Sequence, residues 1–93
     1  MNTTRRNAIK AIAIECEALR RALDGIRARL DTILEDEQTY LDDMPESLAN
    51  GARGAFAQAG IDALEAALER FDEAECAIID IDEALTVATG AEA

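Results

Sequence analysis

The 93-residue sequence contains no histidine, one proline and two cysteines, and only 3% of its residues are aromatic. Without histidine the chain can build neither a Ser/His/Asp nor a Cys/His catalytic arrangement, and it cannot form the Glu-x-x-His metal sites of helical bundles. Gly51 and Gly54 lack the lysine and the preceding strand of a phosphate-binding loop. The acidic run Asp42, Asp43 and Glu46 lacks the spacing of a calcium loop. We therefore expect no enzymatic activity, no metal and no cofactor.

Long apolar runs are missing as well, since no stretch reaches the roughly 18 residues of a membrane span. The apolar residues after Lys10 are interrupted by Glu15 and Glu17, which argues against a signal peptide. Cys16 and Cys76 lie far apart without metal-ligand spacing, and two isolated thiols are most simply interpreted as reduced. These features predict a cytoplasmic protein that binds no membrane.

Apolar residues recur along the first half of the chain at alternating steps of three and four, the heptad pattern of helices that pack along one seam. The predicted seam consists of Ile9, Ile12, Cys16, Leu19, Leu23, Ile26, Leu30, Ile33, Glu37, Tyr40 and Met44. A carboxylate at a seam position, here Glu37, most commonly sets register, although it can also serve a partner. With Thr3 or Thr4 as its cap, the pattern predicts a helix over about residues 4–42.

The pattern stops around Pro45, which disfavours helical geometry at Met44 and cannot donate a backbone hydrogen bond. Pro45 can open a short turn of its own at a first helical position, with Asp43 or Met44 as the cap. A turn pair at residues 50–51 ends that segment. The chain is therefore expected to reverse over about residues 43–53.

A second seam predicts a second helix over about residues 54–89, ended by Gly90, with residues 91–93 fraying. Its members are Ala57, Gly60, Leu64, Ala67, Phe71, Ala74, Ile78, Ile81, Leu85 and Ala88, with Ile61 and Leu68 flanking. The alternation of large and small residues would let two helices approach closely.

Two seams of similar length joined by one loop predict an all-α fold, a single domain over residues 1–93. The expected architecture is an antiparallel helical hairpin of two long, coiled-coil-like helices. Further apolar residues lie away from the seams, at Ala11, Ile14, Ala18, Ala22, Gly25, Ala28, Cys76, Ile79 and Val87. We expect a homodimer in which two hairpins form a four-helix bundle. The alternative is that surface alanines merely favour helix.

The net charge of −11 makes nucleic acids and anionic lipids unfavourable partners and basic surfaces favourable ones. In a hairpin, the arginines of residues 20–29 lie near the carboxylates of residues 65–75, so part of the charge is paired across the helices. The predicted pairs within the first helix are Glu17–Arg21 and Arg27–Asp31. An acidic composition can also serve solubility alone.

No basic residue lies between Arg29 and Arg53, and the carboxylates of this loop end repel one another without serving the fold. A second acidic line follows the outer face of the second helix, where steps of three and four place carboxylates about 5–6 Å apart along the axis, a scale comparable with DNA phosphates. The residues predicted to bind a partner are Glu35, Asp36, Tyr40, Asp42, Asp43, Met44, Glu46, Asp62, Glu65, Glu69, Asp72 and Glu73. The alternative is an ordinary solvated helix face.

Residues 35–48, the Arg53-Gly54 pair and residues 61–64 resemble small helical proteins of bacteriophages and prophages. The resemblance covers roughly residues 30–70 and departs from the pattern at Ala55, where the family has an acidic residue. It implies a bacterial host cell as the setting and, by analogy of size and charge with anti-CRISPR proteins, an antagonist of host defence.

Two functions are therefore expected, and they belong to different classes. The first is an anti-CRISPR-like protein that occupies the basic nucleic-acid-binding surface of a host protein, such as a Cas protein, by acidic mimicry and without binding nucleic acid itself. The second is a structural or assembly protein of a phage, a helical bundle held by its apolar seams. Binding that weakens with salt would favour the first function.

Overall fold

The computed structural model describes residues 1–90. It contains helix α1 over Thr3–Asp42, a short helix α2 over Glu46–Ala49 and helix α3 over Ala52–Thr89. The prediction of an all-helical chain is thus confirmed for this range, as two long helices joined by a short one. The expected fraying of residues 91–93 lies outside the described residues.

The start of α1 is capped by Asn2, and the predicted caps Thr3 and Thr4 lie within the helix. The side-chain oxygen Oδ1 of Asn2 accepts a hydrogen bond from the backbone N–H of Arg5 at 2.8 Å, and its carbonyl accepts one from the N–H of Arg6 at 3.1 Å. The prediction was wrong by one residue because asparagine is at least as good a cap as threonine.

The connection between the long helices contains α2, whose N-cap is Pro45. The carbonyl of Pro45 accepts hydrogen bonds from the N–H groups of Leu48 and Ala49, both at 2.9 Å. Pro45 has an extended backbone with ψ of 143°, so it precedes the helix. The predicted capping of this turn by Asp43 or Met44 was therefore wrong.

Two glycines fix the ends of α3. Gly54 is buried, and a Cβ atom at this position would overlap the backbone of Ala49. At the other end, Gly90 has a φ of +71°, the left-handed conformation that favours glycine. The predicted end of the helix at Gly90 is confirmed, whereas its start lies at Ala52, two residues before the predicted one.

The chain divides into two compact units, each of which contains a segment of α1 and a segment of α3. The central unit spans Gly25–Phe71, and the terminal unit combines residues 1–24 with the chain from residue 72 onward. The prediction of a single domain stays a prediction.

The core of the central unit consists of Leu34, Ile61 and Leu68, which are buried. Leu30, Leu41 and Leu64 pack against them. Within this unit, Leu41 and Gln38 of α1 line one cleft with Ile61 and Gln58 of α3, so late residues of the α1 segment meet early residues of the α3 segment. The two segments therefore run antiparallel.

The terminal unit has a thinner apolar core, in which Ile78 is buried and Ile9, Cys16 and Leu85 are half-buried. An ion pair joins its two helix segments, since Nε and Nη2 of Arg20 both donate to Oε1 of Glu75 at 3.3 Å. The predicted cross-helix pairing is confirmed at this position.

Within the central unit, the predicted seam of α1 was wrong at every second position. On α1, Ile33 and Tyr40 are exposed, whereas Leu34 is buried and Leu41 half-buried. On α3, Ala57 of the predicted seam is buried, together with Ile61 and Leu68, which were expected only to flank it. Gly60 and Ala67 of the predicted seam are half-buried. Burying the side chains of Ile61 and Leu68 in place of Gly60 and Ala67 removes far more apolar area from water, which decides the rotation of the helices.

Candidate functional site

The central unit carries most of the predicted partner-binding residues. Residues 25–71 contain ten acidic and four basic side chains, a balance of −6. The stretch between Arg29 and Arg53 contributes seven of the acidic residues and no basic one. Its negative charge is therefore not neutralised by neighbours in sequence.

Five carboxylates of this unit share one side of the helix pair. Each directly follows a buried or half-buried leucine or isoleucine of the packed surface, and one residue corresponds to a rotation of about 100° around the helix. Because the α1 and α3 segments run antiparallel, this same rotation brings the carboxylates of α1 and those of α3 to one side of the helix pair. We call this set the acidic side: Glu35, Asp42, Asp62, Glu65 and Glu69, all of them exposed.

The acidic side contains an open cleft of about 290 Å³. Asp42 of α1 and Glu65 of α3 both line it, together with Gln38, Leu41, Gln58 and Ile61. The side-chain Nε2 of Gln58 donates to Oδ1 of Asp62 at 2.9 Å, which orients that carboxylate next to the cleft. The loop end and the acidic line of α3, predicted as two features, thus meet at this cleft.

Gln38 and Gln58 were missed in the sequence analysis because neutral side chains do not stand out in an acidic pattern. Each lies four residues, one helical turn, before a carboxylate of the acidic side. That spacing is the sequence signal by which they could have been found.

Other predicted residues lie elsewhere. Asp36 and Asp43 are exposed but stand one residue further around α1 than Glu35 and Asp42, and so project from a different side. Tyr40, the predicted apolar anchor, directly precedes Leu41 and therefore lies on the side of the helix pair away from the acidic side.

The remaining predicted residues divide between the α2 region and the terminal unit. Met44 is half-buried and Glu46 is exposed at the start of α2. Asp72 and Glu73 are exposed on the part of α3 that belongs to the terminal unit. The structure therefore does not group them with the cleft.

Glu37, the charged member of the predicted seam, is half-buried. No hydrogen bond or ion pair to its side chain occurs among residues 1–90. Its predicted roles in register or partner binding stay predictions.

The terminal unit contains a second cleft, of about 370 Å³, which the sequence did not indicate. Ile14, Cys16 and Ile78 supply apolar lining, and Arg20 and Asp82 bring opposite charges to it. Both cysteines are free thiols, with Cys16 half-buried and Cys76 exposed.

Ion pairing in α1 follows the sequence prediction at one site. Nη2 of Arg21 donates to Oε1 of Glu17 at 2.7 Å, so the predicted Glu17–Arg21 pair is confirmed. The predicted Arg27–Asp31 pair stays a prediction. Both Glu17 and Arg21 are exposed, and an exposed pair of this kind contributes little to stability.

Chemically, the acidic side offers hydrogen-bond acceptors and negative charge, with amide groups at the cleft. Among the described residues, no group of histidine, cysteine or carboxylate side chains has an arrangement that could hold a metal ion. None of the helices within residues 1–90 has an apolar stretch long enough to cross a membrane.

Comparison of the chain with protein-family models, with curated proteins and with solved structures gave no match.

Proposed function

We propose that this protein is a non-enzymatic binding module whose acidic side docks on a basic, nucleic-acid-binding surface of another protein. The observation that carries the proposal is the convergence of Asp42 and Glu65 on one open cleft. Glu35, Asp62 and Glu69 extend the same side. Carboxylates gathered from two helices offer a basic partner several acceptors at once.

The spacing of these carboxylates suits mimicry of a nucleic-acid backbone. Asp62, Glu65 and Glu69 follow one another at steps of three and four residues along α3, which corresponds to about 4.5–6 Å along the axis. Phosphates of one DNA strand recur about every 3.4 Å along the DNA axis, which is the same order of spacing. Such a row can occupy a channel that otherwise binds DNA or RNA, and the protein itself binds no nucleic acid because its charge repels phosphates.

The resemblance of residues 30–70 to phage and prophage proteins supplies the biological setting of the proposal. In that setting the partner is a protein of the bacterial host, and the site of action is the bacterial cytoplasm. A Cas protein is the first candidate, because anti-defence proteins of this size and charge act on such targets. The proposed role is then anti-CRISPR-like inhibition.

The test is affinity capture by the tagged protein from a bacterial lysate with an active CRISPR–Cas system, washed at low and at high salt. The test variant combines Glu35→Gln, Asp42→Asn and Glu65→Gln on the acidic side. A matched control combines Glu15→Gln, Asp24→Asn and Asp82→Asn, which removes the same charge from exposed positions of the terminal unit. Mass spectrometry identifies what is retained.

We expect a nucleic-acid-binding protein to be retained by the wild type and by the control, and to be lost at high salt and with the acidic-side variant. Equal retention by both variants would contradict the assignment of the acidic side. Retention of virion proteins alone, at any salt, would exclude the defence-related function.

A second candidate function is that of a structural or assembly protein of a phage, built as a coiled-coil-like bundle. It is favoured by a different observation, the number of large apolar side chains that remain exposed on both units. In this role the apolar surfaces provide the binding energy, so complexes would persist at high salt and the acidic-side variant would behave as the wild type.

A further inference from the structure

The central unit leaves a row of large apolar side chains of α1 uncovered. Ile26, Ile33 and Tyr40 recur at intervals of seven residues, so they project from one side of the helix. Of their surfaces, 41%, 52% and 51% are exposed. The neighbouring side of α1, with Leu34, packs on α3. In this unit α1 therefore has two apolar sides, one packed and one open.

The matching row of α3 consists of small residues. Gly60 and Ala67, both half-buried, directly precede the buried Ile61 and Leu68, as the exposed Ile33 precedes Leu34. In an antiparallel pair, positions that precede the packed surface in this way fall on the same side. A row of large side chains therefore lies beside a row of small ones, and neither row contains a charge although 31% of the chain is charged.

Gly60 leaves open space beside the large row. A glycine inside a helix destabilises it relative to alanine, yet a Cβ atom at position 60 would meet no atom within 4 Å. Gly54, by contrast, is required because a Cβ there would overlap Ala49. The open space at position 60 lies beside the large row, so a large side chain from outside the chain can approach the backbone there.

The exposed area points to the same conclusion. The 10.0 kDa chain exposes 6679 Å², against roughly 5,200 Å² for a compact monomer of that mass. The excess is on the order of 1,400 Å² spread over the whole chain, and each partner in a stable dimer buries about 800 Å². Among residues 1–90, no large side chain is fully buried. A second copy would supply the core that one chain lacks.

We propose that a second copy of this chain covers the open apolar side of the central unit, defined by Ile26, Ile33, Tyr40, Gly60 and Ala67. The large row of each copy packs into the small row of the other. A surface with one row of large side chains and one row of small ones is complementary to itself. A two-fold axis therefore forms both contacts, large row on small row, at the same time. The result is an antiparallel four-helix bundle with an uncharged centre.

The dimer does not depend on the proposed binding of a basic partner. The acidic side carries the residues that directly follow Leu34, Leu41, Ile61 and Leu68, whereas the open apolar side carries the residues that directly precede these four. The two sides of the central unit are therefore different surfaces, and loss of one activity leaves the other intact.

The experiment is sedimentation equilibrium of the full chain over about a hundredfold range of concentration, at low and high salt. Ile33→Glu places a carboxylate in the large row, and Gly60→Leu fills the small row at a position where an added Cβ meets no atom within 4 Å. Ile14→Glu is the matched control, since it adds the same charge at an isoleucine that is 69% exposed and lies outside the row. Circular dichroism verifies that each variant remains helical.

We expect the wild type and Ile14→Glu to sediment as dimers of twice 10.0 kDa. Ile33→Glu and Gly60→Leu should each raise the dissociation constant by about tenfold or more, and high salt should not dissociate the wild type. A wild type that is monomeric throughout would overturn the proposal. A dimer that tolerates both Ile33→Glu and Gly60→Leu would show that copies meet through another surface.

Discussion

Gly54 shows how a single residue shapes the connection between the helices. Its Cα lies so close to the backbone of Ala49, the last residue of α2, that no other side chain fits. The short helix and the first turn of α3 can therefore approach each other only with glycine at this position. The sequence did not indicate this role of Gly54, because a requirement for close approach leaves no periodic signal.

Gly54→Ala is expected to lower the free energy of unfolding by about 1–3 kcal/mol, because either α2 or the start of α3 must shift to accept the methyl group. Chemical denaturation followed by circular dichroism measures the change. Gly25→Ala is the matched control: it lies inside α1 with open space around it and should gain up to about 1 kcal/mol from helix propensity. Equal effects of the two substitutions would contradict the close approach at Gly54.

At the scale of the helices, most of the fold could be predicted from spacing and turn chemistry. Heptad spacing predicted both long helices, and Pro45 and Gly90 marked the interruption and the end. The rotation of the helices could not be predicted in this way. Ile33 and Leu34 are both apolar and both continue a three-four pattern, so periodicity alone does not decide which one is buried.

The side chains of α3 settle the choice, since Ile61 and Leu68 gain more from burial than Gly60 and Ala67. Comparing the volumes of neighbouring seam candidates on both helices would therefore have improved the prediction. The same comparison would have separated the acidic side from the open apolar side.

The rotation can be tested through one buried leucine. Leu34→Ala should lower the free energy of unfolding by about 2–3 kcal/mol, since it opens a cavity in the core of the central unit. Ile14→Ala removes a side chain of similar size from an exposed position and should change the stability by less than about 0.5 kcal/mol. Thermal or urea unfolding of both variants decides the point, and a larger loss for Ile14→Ala would show that α1 is rotated differently.

For the whole molecule, the distribution of charge was easier to predict than its geometry. The acidic stretch between Arg29 and Arg53 is visible in the sequence, but its division between different sides of α1 is not. The prediction joined Asp36 and Tyr40 to the acidic surface, whereas only a correct rotation of the helices separates them from Asp42 and Glu65. In the proposed interaction, net charge sets the class of partner, and the rotation of the helices determines which residues would meet it.

In the proposed function the acidic side replaces nucleic acid on a basic surface, and displacement tests this proposal most directly. A captured nucleic-acid-binding protein is loaded with fluorescently labelled DNA or RNA, and the anisotropy of the label is followed while the wild type or the Glu35→Gln, Asp42→Asn, Glu65→Gln variant is added. We predict that the wild type releases the nucleic acid and that the variant does not, with release suppressed as salt rises. Nucleic acid that stays bound when the wild type saturates its partner would contradict the account, because the two ligands would then occupy different surfaces.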